Sequence, residues 1–322
     1  MATLKNTFIA GTGTILTPNN SQSTVGATGK LRFSSANSQN TLEFFDGTTW
    51  RPVTGFSQGL VGTGGDTINY IPGGGIVHIF TTVGTSTFTP TFTGNVDVLV
   101  VAGGGGGGSS WGGGGGGGGV ISSRNYPVSN GVGIPISIGA GGVSNTTNAG
   151  NSVFGALTAT GGGMGGTWAT SSPGFLGSPT AGRPGGSGGG GSNTGDGIDS
   201  RTRSYGGISV SGQGYPGGSG VRFNADTENT HNGGGGGGAG GGGGSAPDGR
   251  QNYRGSFRSD QVTGGAGRAS DITGQTLYWG GGGGGGGHLG WGTYCGGIGG
   301  GGGGGYHHAG PYGGQGDRKS VV

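Results

Sequence analysis

The sequence is poor in the residues from which most soluble domains are built. Hydrophobic residues make up 28% and charged residues 8% of the 322-residue chain, against roughly 45–50% and 25% in an average soluble domain. A conventional apolar core therefore cannot fill the volume of this chain. The single cysteine, Cys295, excludes an internal disulfide, so high stability would have to come from packing or assembly.

Proline and long apolar runs are also scarce. Only 12 residues are proline, and the glycines stand in solid blocks, which excludes the Gly-X-Y repeat of collagen. No stretch of 18 apolar residues is present, and the start MATLKNTFIA lacks the apolar centre of a signal peptide. These absences predict no membrane insertion and synthesis in a cytosol without export.

The charge balance excludes a second class of partner. The formal net charge is +3, and the 15 Lys and Arg residues are spread along the chain. Such a distribution forms no clustered basic patch for phosphate groups. We therefore expect no nucleic-acid partner.

Glycine is the abundant residue, with 99 of 322 positions against about 7% in an average protein. Fifteen glycines precede Ala102 and 84 follow it. Low complexity of this kind often indicates disorder, but the chain also holds five Trp, nine Tyr and twelve Phe, which disordered segments avoid. These aromatic residues favour an ordered structure. The longest glycine blocks are 103–108, 112–119, 233–238, 240–244, 280–287 and 299–305.

Ordering so many glycines needs a specific packing arrangement. Each glycine costs roughly 0.5–1 kcal/mol more than alanine to fix in regular structure. Backbones without side chains can approach closely as extended helices of three residues per turn, which have no internal hydrogen bonds. Their N–H and C=O groups must then pair with neighbouring helices. The sequence predicts a lattice of packed polyglycine II helices over residues 103–322, with the polar and aromatic segments between the blocks as surface loops.

The N-terminal part has the pattern of a small β-module. The string GKLRF from Gly29 alternates apolar and charged residues, and TLEFFDGTTWRPV adds a second strand, a turn at Asp46-Gly47 and Trp50. A hairpin of this size is not stable alone, which implies neighbours from other copies of the chain. We interpret residues 1–57 as an attachment and oligomerisation module. Its predicted packing residues are Leu31, Phe33, Phe44, Phe45 and Trp50.

Residues 58–102 form the second predicted region. The β-branched and aromatic runs Ile76–Phe80, Thr87–Phe92 and Val96–Ala102 indicate successive antiparallel strands. The fold class expected for the whole chain is all-β N-terminal modules followed by a glycine-rich domain of packed polyglycine II helices, with essentially no α-helix.

No pattern in the chain indicates catalysis. Matches to G-x-G-x-x-G are automatic in glycine blocks, and no helix follows them to form a nucleotide site. Four acidic residues of the glycine-poor segments are interpreted as solvated loop charge, and His78 as a strand residue. We expect no enzyme activity, no catalytic residue and no cofactor. The acidic residues are Asp196, Asp199, Asp226 and Glu228.

A metal site is not expected either. Cys295, His288, His307 and His308 lack the spacing of known metal-ligand motifs, so we interpret them as polar loop residues. An ion held on a symmetry axis between histidines of several copies stays open as an alternative.

Two passages resemble a known group of proteins. The hairpin GKLRFSSANSQNTLEFFDGTTWRPV resembles a module of bacteriophage tail fibres that interlocks around a threefold axis. The passage VDVLVVAGGGGGGSSWGGGGGGGGV, followed by IPISIGAGG, resembles the glycine-rich domain at the ends of phage fibres. The alternation of polyglycine with aromatic loops is similar to tip adhesins of T-even-like phages. The chain departs from that domain's usual apolar closing strand by ending in DRKSVV.

This resemblance implies a function and a location. It implies a virion fibre or tail protein, made in the host cytoplasm, whose loops contact a host-surface glycan or outer-membrane protein. The hairpin implies a homotrimer, whereas the tip adhesins imply a monomer; other virion fibre, tail or baseplate proteins are further implied partners. The predicted receptor contacts are Arg201, Arg203, Tyr205, Arg222, Phe223, Tyr253, Arg254 and Phe257.

Two alternatives to an adhesin stay open. The protein could be a purely structural virion fibre, or a capsid or neck decoration protein, without a receptor. It could also be a non-viral glycine-rich protein such as an ice-binding bundle, but the chain lacks the regular tripeptide repeat which that function needs. The aromatic residues beside the glycine blocks, Trp168 and Trp279 among them, are interpreted as rings that pack on the faces of the glycine layer.

Overall fold

The computed structural model describes most of the chain after residue 61 and parts of the chain before it. The described residues are 9–10, 14–15, 31–34, 41–52, 61–71, 75–169, 178–193, 203–225, 228–246, 262–287, 295–301 and 320–321. They contain strands and extended segments but no α-helix. The contacts divide the chain into two compact units, Met1–Val61 and Gly62–Val322.

The strands are short and pair in antiparallel fashion. They are β1 (Ile9–Ala10), β2 (Thr14–Ile15), β3 (Leu31–Ser34), β4 (Thr41–Phe45), β5 (Trp50–Pro52), β6 (Gly62–Thr63), β7 (Thr67–Ile71), β8 (Gly75–Ile79), β9 (Gly84–Pro90), β10 (Gly94–Val101), β11 (Val120–Val128), β12 (Ile134–Ile138), β13 (Ser152–Phe154), β14 (Leu157–Ala159), β15 (Arg203–Ser204), β16 (Gly220–Ala225), β17 (Glu228–Asn232), β18 (Arg268–Ser270), β19 (Leu277–Trp279) and β20 (Ser320–Val321).

In the first unit, β3, β4 and β5 form the predicted β-module. Leu31 is in register with Phe44, and Phe45 with Trp50. The rings of Phe45 and Trp50 lie 5.3 Å apart between centroids, so the Trp50 ring packs against β4. The turn between the strands is held by Asp46, whose Oδ1 accepts hydrogen bonds from the backbone N–H groups at positions 48 and 49, both at 2.8 Å.

The second unit begins with a β-sandwich. The sheet β14-β13-β12-β9-β6 and the sheet β11-β10-β20 enclose an apolar core. The predicted strands of this region are confirmed as β8, β9 and β10, but they do not pair with one another. Instead β8 pairs with β7, β9 with β12 and β6, and β10 with β11 and β20. The buried core residues are Phe80, Phe88, Val98, Val100, Ala102, Val128, Ile134, Ile136, Ile138, Phe154 and Ala159.

The ending DRKSVV still supplies a closing strand. β20 pairs with β10 in the registers Val321 with Val100 and Ser320 with Val101. At this point β10 is buried on both faces, with Val100 and Val101 fully buried.

Beyond β10 the chain enters a body of extended glycine segments. Its centre is the segment 112–119, hereafter the central segment. Backbone hydrogen bonds join the central segment to five neighbouring segments, which are 103–108, 161–167, 186–193, 233–239 and 280–287.

The hydrogen bonds of the central segment recur every third residue. The N–H groups of Gly113 and Gly116 donate to the carbonyls of Gly166 and Gly163, both at 2.9 Å. The next residues in each case, 114 and 117, donate instead to the carbonyls of 234 and 237, also at 2.9 Å. A given neighbour therefore meets the same side of the segment once per three residues, which is the period of a polyglycine II helix. The predicted lattice of packed polyglycine helices is confirmed for these glycine segments, but residues 120–159, which lie in the predicted range, contain strands β11 to β14 instead.

The close packing explains why glycine is needed. A Cβ placed on Gly115 would overlap the carbonyl group of Gly105, whose carbon would lie 2.7 Å away. Similar overlaps with neighbouring backbone occur at most glycines of the body. Ser187 is a buried exception, and its hydroxyl donates to the Gly118 carbonyl at 2.7 Å. The stability of the body therefore rests on backbone hydrogen bonds and dispersion contacts in place of apolar side chains.

Candidate functional site

The polyglycine segments run between two ends of the body. At one end, hereafter the strand end, the body joins the β-sandwich. Ala102, Gly119 and Val120 lie there, and their N–H groups donate hydrogen bonds to backbone carbonyls of neighbouring segments. Arg268 reinforces this end because its guanidinium donates to the carbonyls of Val120 at 2.8 Å and Gly212 at 2.9 Å. The opposite end is hereafter the Trp111 end.

Several glycine-poor segments join the body at the Trp111 end. The backbone N–H of Asn193 donates to the Trp111 carbonyl at 3.4 Å, and the backbone N–H of Thr167 donates to the Pro179 carbonyl at 2.8 Å. Asn232 forms a bridge with Gly287. These contacts place the described residues that flank 170–177, 194–202 and 288–294 at one end. The described residues that flank 247–261 lie there too, since the N–H of Ala246 donates to the Ser219 carbonyl and the Val262 carbonyl accepts the N–H of Gly285.

A small sheet stands at this end. β15, β16 and β17 pair in that order, with Arg203 opposite Val221 and Arg222 opposite His231. Residues 222–232 belong to the polar segments between glycine blocks that the sequence predicts as surface loops, but most of these residues form the hairpin of β16 and β17. The backbone groups of its residues form hydrogen bonds between the two strands.

The turn at Ser110 and Trp111 has an unusual backbone. Both residues adopt left-handed conformations, with φ of 49° and 58°. Such a conformation costs about 1 kcal/mol or more for a residue with a Cβ, and it is rare for a bulky one. Asn145 has φ of 60°, and its N–H donates to Gly107 at the same end. Three of the four left-handed non-glycine residues in the described part of the chain therefore lie at this end.

The side chain of Trp111 is held between two other rings. Its centroid lies 4.8 Å from that of His231, with 34° between the ring planes, and 6.0 Å from that of Trp168, which meets it edge to face at 82°. Nδ1 of His231 lies 2.7 Å from Nδ2 of Asn193, and Asn193 is fully buried. Trp111, Trp168 and His231 are half-buried. We call these four residues the aromatic cluster.

Three of the four segments that carry the aromatic cluster are polar but uncharged, whereas the hairpin that carries His231 contains Arg222 and Glu228. The segments 103–119, 156–169 and 187–193, which supply three of its four residues, contain no Asp, Glu, Lys or Arg. Thr167 donates from its hydroxyl to Oδ1 of Asn145 at 3.3 Å, and Ser109 accepts the N–H of Trp168 at 3.5 Å. Aromatic rings beside hydroxyl and amide groups can hold a ligand that is flat on one side and polar at its rim.

The structure describes half of the predicted receptor contacts. Arg203 is exposed in β15, and Tyr205 is 57% exposed directly after it. Arg222 and Phe223 lie in β16. The predicted contacts Arg201, Tyr253, Arg254 and Phe257 lie outside the described residues.

Tyr205 lies in an extended segment at the edge of the body, where burial repeats every three residues. Ser204 and Gly207 are buried, whereas Tyr205 and Ile208, one three-residue turn apart, are each 57% exposed. The Tyr205 carbonyl accepts the N–H of Gly182 at 2.9 Å. The backbone of Tyr205 is thus fixed to the body while its ring faces outward.

Sequence reasoning missed three members of the aromatic cluster: Trp111, Asn193 and His231. The string Ser109-Ser110-Trp111 was the available signal for Trp111, because it interrupts two long glycine blocks. Asn193 and His231 carry no comparable signal, since only the fold brings them to Trp111. The interpretation of Trp168 as a packed ring agrees with its contact to Trp111.

No group of three or more metal-ligating side chains occurs within the described ranges. Cys295 is an exposed free thiol, and His288, His307 and His308 lie outside those ranges. His78 is a strand residue, as predicted: its Nδ1 donates to the Gly64 carbonyl at 2.7 Å, and its ring meets Phe88 edge to face. Where the structure is described, no helix is long and apolar enough to cross a membrane.

A family described as a glycine-rich domain matches residues 81–318, a range that includes β9, β10 and the whole described polyglycine body. No curated protein matches the chain.

Proposed function

Because the chain belongs to the glycine-rich domain family over residues 81–318, we propose that this domain is the scaffold of a bacteriophage fibre adhesin. In this proposal the protein is part of the virion surface and contacts a glycan or an outer-membrane protein of the host. The observation that carries the proposal is that the described residues flanking 170–177, 194–202, 247–261 and 288–294 lie together at the Trp111 end.

The stiffness of the body supports a recognition function. The central segment exchanges backbone hydrogen bonds with five neighbours, so the residues that leave the body start from fixed positions. Recognition residues mounted on a rigid base lose less conformational entropy on binding than residues on a mobile one. Arg203 and Tyr205 are exposed and attached in this way.

The proposal includes a homotrimer formed through the N-terminal module, and contacts to other virion fibre, tail or baseplate proteins. A three-stranded sheet with Phe45 against Trp50 is small for an independent unit. Light scattering on the full chain tests the trimer. We expect three times the chain mass of 30.6 kDa and a smaller mass for Trp50→Ala, while Trp279→Phe leaves the mass unchanged.

Location and adsorption test the function itself. Antibody against the hairpin of residues 220–232, used in gold-label electron microscopy of the source particles, should mark fibre or tail tips. Particles carrying Arg203→Ala and Tyr205→Ala together should adsorb to their host more slowly. Tyr70→Ala is the matched control, since Tyr70 is 56% exposed on β7, within the strand modules.

The other outcomes separate the alternatives. Label on the capsid or neck, with an unchanged adsorption rate, would mean a purely structural virion protein. No label on any particle would contradict the phage proposal as a whole.

A further inference from the structure

We propose that Trp111 and Trp168 form a binding platform for the ring of a neutral sugar. This inference rests on the proposed function, in which the Trp111 end meets the host surface, and it selects a glycan as the ligand class. The argument depends on the strained turn, the arrangement of the rings and the absence of charged residues from the three segments that carry Trp111, Trp168 and Asn193.

The strained turn indicates that the position of the Trp111 ring matters. Ser110 and Trp111 hold left-handed conformations between the glycines of two blocks, where glycine would adopt the same backbone without strain. Strain of this kind is concentrated at ligand sites, where the surrounding structure maintains it. Here the surroundings are the hydrogen bond from Asn193 to the Trp111 carbonyl and the ring contacts to His231 and Trp168.

The rings are already positioned for a ligand. Trp111 and Trp168 are each half-buried, so part of each indole stays accessible while the rest is fixed by packing. An indole presents a large, rigid and partly negative face, which suits the slightly positive C–H groups on one side of a sugar ring. Fixing both rings in advance lowers the entropy that a weakly binding ligand must overcome.

The polar groups near the rings suit sugar hydroxyls. Ser109 and Ser110 are partly accessible beside Trp111, and Asn145 is exposed and bonded to Thr167, the residue before Trp168. Behind the rings, Oδ1 of Asn193 accepts no hydrogen bond from the described residues although it is buried. Hydroxyl and amide groups can both donate to and accept from the hydroxyl groups of a sugar.

The lack of charge in the three segments that carry Trp111, Trp168 and Asn193 favours a neutral ligand over an acidic one. No Asp, Glu, Lys or Arg occurs in 103–119, 156–169 or 187–193. A carboxylated or phosphorylated sugar would lack a cationic partner from these segments, and its charge would be partly desolvated without compensation. Neutral hexoses and N-acetylhexosamines are therefore the expected class.

The five tryptophans allow a direct test on the full chain. Each Trp gives one indole N–H signal in a ¹⁵N-labelled sample. We expect methyl glucoside, methyl galactoside, methyl mannoside or N-acetylglucosamine, titrated to about 100 mM, to shift the Trp111 and Trp168 signals in a saturable way. A single sugar unit should bind with a Kd on the order of 1–10 mM. The Trp50 and Trp279 signals should not move, and glucuronic acid should bind at least about tenfold more weakly.

Substitution separates the site from a general effect of sugar. Trp168→Ala should weaken binding by about tenfold or more, and Trp168→Phe should weaken it less because a smaller ring remains. Trp279→Phe is the matched control at the strand end and should leave the Kd unchanged. If Trp168→Ala perturbs the fold, the Phe variant still tests the platform.

Each remaining outcome decides against the site or against the proposed function. The sugar site is overturned if no probe shifts Trp111 or Trp168, if glucuronic acid binds equally well, or if neither Trp168 variant changes the Kd. In those cases slower adsorption of the Arg203 and Tyr205 variant would still support the adhesin, with a protein receptor. Saturable sugar binding with unchanged adsorption of the Arg203/Tyr205 variant and of Trp168→Ala would contradict the adhesin proposal and leave the sugar site standing.

Discussion

The Nδ2 atom of Asn193 lies 2.7 Å from the Nδ1 atom of His231, and this contact joins the end of a polyglycine segment to the hairpin of β16 and β17. Asn193 is fully buried, and His231 packs on Trp111. An amide nitrogen can only donate, so in this arrangement Nδ1 of His231 accepts the hydrogen bond. A single buried amide therefore fixes the imidazole that supports the Trp111 ring.

Removing this amide should loosen the Trp111 end. Asn193→Ala deletes the hydrogen bond to His231 and leaves a gap beside the rings, so we expect a loss of about 1–3 kcal/mol in the free energy of unfolding. The near-ultraviolet circular dichroism of the tryptophans should weaken as well. Asn151→Ala is the control, because exposed Asn151 also makes one hydrogen bond, to the Gly161 N–H at 2.9 Å, and should cost less. Equal effects would mean that Asn193 does not specifically support the rings.

Relieving the backbone strain at the turn should have the opposite effect on stability. Ser110 has φ of 49°, so Ser110→Gly removes a left-handed conformation on a residue with a Cβ and should raise stability by about 1 kcal/mol. Ser109 has no left-handed φ, and Ser109→Gly should lower stability through the added freedom of the unfolded chain. Thermal unfolding of both variants measures the difference. A lower Tm for Ser110→Gly would contradict the assignment of strain to this residue.

The composition predicts the polyglycine body but not its internal order. Glycine blocks without side chains have to pair their backbones with neighbours, and this reasoning is sufficient to predict packed polyglycine helices. It cannot predict that Gly113 pairs with Gly166 or Gly114 with Gly234, because residues without side chains carry no information on register.

The Trp111 end shows a second limit of sequence reasoning. β17 of this hairpin is the string ENTHN, in which Asn and Glu are residues depleted in strands. The ring contact of Trp111 with His231 joins residues far apart in the chain, and it depends on the hydrogen bond of Asn193. Local pattern predicts neither the strands nor the contact, because both are consequences of how the segments pack.

Low pH should weaken the hydrogen bonds by which the Asp66 carboxylate holds the backbone at Thr81 and Thr82. Oδ2 of Asp66 accepts the N–H of Thr81 at 2.6 Å and of Thr82 at 2.8 Å, and these hydrogen bonds lower the pKa of the Asp66 carboxyl below its ordinary value. Since the folded-state pKa is the lower one, the stabilisation is complete above the ordinary aspartate pKa of about 4 and is lost as the pH falls through the folded-state value.

Asp66→Ala should therefore lower the Tm at pH 7, by roughly 2–4 °C, and the difference from the unsubstituted protein should shrink as the pH falls below about 4. Asp271→Ala is the control. Its carboxylate lies 3.9 Å from Arg124 with both side chains about three-quarters exposed, and such a pair contributes little. A Tm difference for Asp66→Ala that stays constant from neutral to acid pH would contradict the role of the carboxylate.

The packing of the polyglycine body makes a prediction that composition alone does not. Gly115 lies in the central segment, where a Cβ would overlap the Gly105 carbonyl group, whereas a Cβ on Gly141 would meet only the Gly104 oxygen, at 3.7 Å. Because the neighbouring backbones are held by hydrogen bonds on several sides and cannot yield without breaking them, Gly115→Ala should cost about 3 kcal/mol. Gly141→Ala should be neutral or stabilise by up to about 1 kcal/mol, since it restricts the unfolded chain.

Thermal unfolding of the two alanine variants, with hydrogen exchange of the glycine amides, separates the two effects. Gly115→Ala should speed exchange at Gly113 and Gly116, whose N–H groups bond to the segment 161–167, because displacement of one segment disturbs the hydrogen bonds of its neighbours. If both variants unfolded at the same temperature, the glycines of the body would be required only for their backbone freedom. Close approach of the segments would then not be the reason for the composition.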